Sequence, residues 1–192
     1  MLFIGIETNP DKTYTVAQMD ENRNILYLSS FWREGLLWFL DHKNINIVAV
    51  NLPSWYKTNQ QKNALEVIRT LTDTFEFHEA GEETEKEKVV IKTDTDLFFS
   101  QLVKKDLLPI TTPEGLEQRI YNLPKAGIIV QPEMFSKERK QIQRELGAIA
   151  SAFAAYSYYH GTYDIVEREE DKLYIPKYSF VPKEKRIISR LY

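Results

Sequence analysis

The chain has no cysteine, which excludes disulfide bridges, thiolate metal sites and cysteine nucleophiles, and fits a reducing compartment. Its three histidines, His42, His78 and His160, are scattered without the spacing of a zinc site. No serine sits in a nucleophile-elbow motif. With only seven glycines there is no Walker-type phosphate loop. No run approaches the ~20 apolar residues that span a bilayer. The apolar opening Leu2 to Ile6 gives way within a few residues to Asn9, Asp11 and Lys12, too soon for a signal peptide. A cytoplasmic location is the expectation. A net charge of −3 also excludes a broad cationic surface for nucleic acid.

What is present is the composition of an ordinary globular protein, and 192 residues are enough for one stable core. Charge is uneven. Glu79 to Lys88 is acidic, whereas Lys137 to Arg144 and Lys183 to Arg190 are basic. Each reads as a solvated face or loop, with a basic groove built from the last two as the alternative.

Three β-rich runs come first: Phe3 to Glu7, Thr13 to Met19 and Ile25 to Phe31. Polar turns of four or five residues separate them, predicting an antiparallel meander. Glu34 to His42 carries Leu36, Leu37, Phe39 and Leu40 as on a short buried helix. Ile45 to Val50 is nearly all apolar, as in a central strand covered on both faces. Thr58-Asn59-Gln60-Gln61 has capping-box spacing before a helix with Leu65, Ile68 and Leu71 on one stripe. Thr93 to Asp96 and Thr112-Pro113-Glu114 read as further helix starts. Ala126 to Val130 is a second apolar strand.

The longest helical signal runs from Ser136 to His160, with Ile142, Leu146, Ile149, Phe153 and Tyr156 on one face. Its alanines keep the surface small enough for close approach to a sheet, and Gly161 stops it. Ile165 to Pro176 reads as a hairpin or edge strand around Glu169-Glu170-Asp171. The order predicts one α/β domain over 1–192 with a ribonuclease-H-like mixed sheet. Three antiparallel strands are followed by two parallel ones, helices cover both faces, and a hairpin extends the C-terminal side.

Five segments, in order, resemble the predicted ribonuclease-H-like nucleases long catalogued as a domain of unknown function in bacteria and archaea. "FIGIE" looks like that family's "GID" strand, and "VAVNLPSW" like its "IDLP" or "IDAP" strand end. "GIIVQPEMF" is similar to "IEVxP" and "RELGAIASAFAAYSYYHGTYDIV" to "HELDAxxAAxTAYLYxxGxxExV". "REEDKLYIPK" resembles the closing "GxEEEGxIxxP". The resemblance implies a site at adjacent strand ends, formed by Glu7, Asn51 and Glu145, with Glu7 and Glu145 as ligands of Mg²⁺ or Mn²⁺ and Glu133 and Asp11 as neighbours. It also marks departures: Glu7 and Asn51 each stand where an Asp is expected, Ile129 replaces a Glu, and Gly147 replaces an Asp.

Two-metal phosphodiester hydrolysis needs a carboxylate cluster, because Mg²⁺ prefers anionic oxygens in near-octahedral geometry. Asn51 offers one neutral oxygen, and Ile129 and Gly147 offer none. The expectation is therefore a partly lost metal site on a pseudoenzyme that acts by binding nucleic acid or a protein partner. The alternative is a divalent-metal nuclease using Glu7 and Glu145. A third reading is a homo-oligomeric module joined through Tyr156, Tyr158 and Tyr159. Structural roles compete at each residue. Glu7 pairs with Lys12 or caps a helix, Asn51 is a turn residue, Glu145 is solvated, and Trp32, Trp38 and Trp55 are core or rim packing. The actin-like ATPases also begin on a "GI-acid" strand, but their phosphate loops and second lobe are missing, so ATP binding is not expected.

Overall fold

The computed structural model describes residues 1–43, 45–53, 59–81, 88–104 and 106–177. The capping-box Thr58, Trp55, most of the acidic stretch and the basic Lys183 to Arg190 lie outside them.

The N-terminal meander consists of β1 (Leu2–Thr8), β2 (Tyr14–Asp20) and β3 (Ile25–Phe31). Both pairings are antiparallel, from Leu2↔Asp20 to Thr8↔Tyr14 and from Tyr14↔Phe31 to Met19↔Ile25. Helix α1 (Arg33–Asp41) buries Leu36, Phe39 and Leu40 and leads into β4 (Ile47–Asn51), whose five residues are all buried. β4 lies parallel to β1, from Phe3↔Ile47 to Ile6↔Val50. Helix α2 (Asn59–Phe75) buries Ala64, Val67, Ile68 and Leu71; Leu65, expected on that stripe, is 42% exposed.

The second parallel strand is not the one expected. β6 (Val89–Thr93) takes the place beside β4, in parallel register from Ile47↔Val89 to Asn51↔Thr93. The two-residue β5 (His78–Glu79) pairs with it. The Ala126 to Val130 run makes no ladder. Leu123–Ala126 is a 3₁₀ turn, Gly127 adopts φ +72°, and Ile129 forms only an isolated bridge to Asn24 at the start of β3. Pro124 and Pro132 remove backbone donors on either side of this run, which keeps it short.

Helices α3 (Thr95–Val103) and α4 (Pro113–Asn122) begin at the anticipated caps. Asp94 accepts the Asp96 and Leu97 amides, and Thr112 accepts that of Gly115. Helix α5 (Arg139–Tyr159) precedes a hairpin of β7 (Tyr163–Arg168) and β8 (Asp171–Pro176), joined at Glu169 with φ +51°. The hairpin does more than extend the molecule. β8 enters the sheet beside β6, and Arg168 binds the buried Asp94 at 2.7 Å. The described residues form one mixed eight-stranded sheet, ordered β3-β2-β1-β4-β6-β8-β7 with β5 against β6, and five α-helices.

Alternation along β1 assigns the faces. Gly5 points at the backbone of α5, while Thr8 donates to the Gln60 carbonyl of α2 from the other face. Tyr14 and Phe31 continue the Thr8 face, and Phe31 meets Phe39 of α1 at 5.6 Å. Among the tyrosines expected to form a contact surface, Tyr156 packs on Phe3, and Tyr158 packs on Tyr163 and Tyr174. Trp32 and Trp38 are exposed rather than core; Trp38 stacks on His42 at 4.5 Å.

Gly5 is required by this contact. A Cβ there would overlap the Ala148 carbonyl and the Ala152 amide, both rigid helix backbone. Gly5→Ala should cost about 3 kcal/mol or more, because backbone must move rather than a side chain. Urea unfolding checks this; a loss below about 0.5 kcal/mol, the range of ordinary surface substitutions, would contradict the contact.

Candidate functional site

The carboxyl ends of β1 and β4 form the floor of a cleft of about 280 Å³. The parallel ladder carries Glu7 and Asn51 side by side just past Ile6↔Val50. Both are buried, at 6% and 4% exposure. Asn51 Nδ2 donates to Glu7 Oε2 at 2.7 Å, and Gln60 Nε2 donates to Glu7 Oε1 at 2.5 Å. The Asn51 amide is oriented by the chain, since its Oδ1 accepts the Thr95 N–H at 3.2 Å and so leaves the NH₂ toward Glu7. One carboxyl group is thus gripped by side chains from β4 and α2.

Helix α5 closes on Glu7 from a third side. A Cβ at Gly147 would overlap Glu7 Oε2 and lie 2.6 Å from Cδ. The two departures noted from the sequence are therefore complementary: the longer acid at position 7 fills the space that a side chain at 147 would need. Burial pushes the Glu7 carboxyl up to about 8, opposed by the Asn51 and Gln60 amides and reinforced by Asp96 and Asp94. It is mostly protonated at neutral pH.

Glu145 is elsewhere. It is two residues from Gly147, roughly 200° around the helix, and does not line the cleft. Its buried carboxylate accepts the Ser136 N–H at 3.0 Å and pins the segment before α5; burial raises its pKa, with the Ser136 amide opposing. The structure thus brings Glu7 and Asn51 together and leaves Glu145 apart. Asp11 pairs with Arg144 at 2.6 Å, which with the Thr13 hydrogen bonds holds its carboxyl down at about 2 despite some burial. Glu133 lies on the exposed 3₁₀ turn Pro132–Met134. Ile129 sits beside Asn24, level with the start of β1 rather than its end.

These donors do not fit a divalent cation. Mg²⁺ takes carboxylate oxygens with free lone pairs and room for several waters, whereas both oxygens of Glu7 already accept amide hydrogens in a buried position. The Asn51 oxygen faces Thr95. No group of three or more His, Asp or Glu among the described residues is placed to hold a metal ion.

Gly147, marked in the sequence as a site position without a ligand, shares the cleft with residues whose sequence signals point elsewhere. Lys140, Gln143, Arg144 and Gly147 line it from α5, at the i, i+3, i+4, i+7 spacing of one helical face. That phase, counted back from Gly147, is the signal that identifies them. Asp96 and Phe99 come from α3, whose start reads only as a helix cap in sequence, and Gln60 reads as part of the α2 capping box. Asp96 is held 3.6 Å from the buried Arg119 guanidinium; burial raises its carboxyl and Arg119 opposes this.

The Glu7 shift has a signed consequence. Its folded pKa, about 8, lies above the ordinary value of 4.5, so between these pH values the folded state holds a proton that the unfolded state has lost. Stability should fall as pH rises through that window, by up to about 1.4 kcal/mol per pH unit from this group. Glu7→Gln should remove that slope and leave the variant more stable than the parent at pH 8. Denaturant titrations of both proteins from pH 5 to 9 check it; parallel curves would refute the burial of an ionisable Glu7.

No helix among the described residues is long and apolar enough to cross a membrane. No family model matches the chain, and no curated protein or solved structure is detectably similar to it.

Proposed function

We propose that this chain is a ribonuclease-H-like domain that binds nucleic acid at the carboxyl edge of its sheet without cleaving it. The observation that carries the reading is the closed unit at the strand ends: Glu7 held by Asn51 and Gln60, with the Gly147 backbone against it. The antiparallel β3-β2-β1 meander beside parallel β4 and β6 supports the ribonuclease-H-like assignment. The carboxyl edge of such a sheet is where ligands of open α/β sheets commonly bind. At that edge this chain carries a carboxyl–amide cluster where two cations would need several carboxylates.

Nucleic acid is favoured over a protein partner by the charge on the adjoining helix. Lys137, Arg139 and Lys140 are exposed just before and at the start of α5, and Lys140 lines the cleft. Phosphate contacts from such side chains work locally and without a cation, despite the overall negative charge. The competing reading, a divalent-metal nuclease with Glu7 and Glu145 as ligands, needs Glu145 to turn into the cleft and to give up Ser136.

Two measurements test this. Single- and double-stranded DNA and RNA incubated with the chain and Mg²⁺ or Mn²⁺ should remain uncut. Fluorescence anisotropy should show binding that weakens with salt, is unchanged by EDTA, and drops about tenfold in Arg139→Glu/Lys140→Glu. Cleavage abolished by Glu7→Gln would overturn the non-hydrolytic reading, and no binding even at low salt would overturn the nucleic-acid one.

A further inference from the structure

We infer that the cleft beside Glu7 receives a single nucleotide, as a free nucleoside monophosphate or as the unpaired end of a strand, without a divalent cation. This rests on the nucleic-acid reading above and narrows it to one ligand class and one pocket.

The volume, about 280 Å³, is at the small end of ligand pockets and suits one nucleotide rather than a stretch of duplex. Its chemistry is divided as a nucleotide's is. On α5, Lys140 is exposed and makes no ion pair among the described residues, which leaves a cation for a phosphate. Arg144 is already neutralised by Asp11, so it forms wall rather than anchor. Gln143, one helical turn from Lys140, makes no side-chain hydrogen bond among the described residues; its amide can both donate to and accept from a base edge. On α3, Asp96 keeps half its side chain exposed, an acceptor suited to ribose hydroxyls. Ile110, Pro10 and Pro53 supply the apolar surface that a base needs.

The floor completes the argument. In a metal-dependent site, ionised carboxylates repel phosphate until cations bridge them. Here both oxygens of the carboxyl at the floor are capped by amide N–H donors, so they are not presented to an incoming phosphate and no bridging cation is needed between them. The other carboxylate lining the cleft, Asp96, has Arg119 beside it.

The test is equilibrium binding of the full chain in EDTA with the nucleoside 5′- and 3′-monophosphates, the corresponding nucleosides and inorganic phosphate. Linear and circular single-stranded oligonucleotides complete the series. At least one monophosphate should bind, with its nucleoside at least tenfold weaker. Lys140→Gln, at an exposed position, should lower that affinity about tenfold, and Gln143→Ala should change the preference among bases. Preference for linear over circular strands identifies the strand end as ligand; equal affinity for the two, with the monophosphate still bound, identifies the free nucleotide. Oligonucleotide binding with no monophosphate binding and no Lys140 effect would overturn this inference and leave the broader reading standing. Failure of both ligand types would overturn both, and monophosphate binding only with added Mg²⁺ would overturn the metal-free claim.

Discussion

Everything at the carboxyl edge depends on how closely α5 approaches β1. Gly5 lets the helix backbone sit directly on the strand, and Ala148 and Ala152 bring no bulk that would hold it away. The same approach sets Gly147 against the Glu7 carboxyl, about one and a half turns before Ala152 and just past the end of the β1–β4 ladder. A larger residue at position 5 would lift the helix, open space beside Glu7 and admit water. The distance between these two elements therefore controls the desolvation that keeps Glu7 neutral.

That neutrality changes what the strand ends can do. An ionised cluster attracts cations and holds phosphate through them. A neutral carboxyl with both oxygens occupied neither binds a cation strongly nor repels an anion. The cations of this region are instead side chains on the first turns of α5, beside the cleft rather than at its floor. The proposed recognition without hydrolysis rests on that distribution of charge. Glu145, the acid that resemblance pairs with Glu7, is engaged in holding the segment that leads into α5.

Much of the architecture was legible because its periodicities are strong. The meander, β4, the caps at Asp94 and Thr112, and the apolar stripe from Ile142 to Tyr156 all follow their local patterns. β6 was hidden because Val89 to Thr93 follows a charged run and its last residue reads as part of a helix start. The more apolar Ala126 to Val130 looked a better strand, but Gly127 and the flanking prolines break it. At the site, the pairing of Glu7 with Asn51 was readable from two strand ends, whereas Gln60 needed the tertiary fold. The separation of Glu145 from the cleft was in principle readable, since positions 145 and 147 cannot share one face of a helix.

The central claim, a buried and uncharged Glu7 with no place for a cation, is tested most directly by carbon-13 NMR titration of the Glu7 side-chain carboxyl, assigned by its loss in Glu7→Gln. The account predicts a midpoint near pH 8, far above an ordinary glutamate, and the same midpoint with millimolar Mg²⁺ present. A midpoint close to 4.5, or one that Mg²⁺ drives sharply downward, would contradict it.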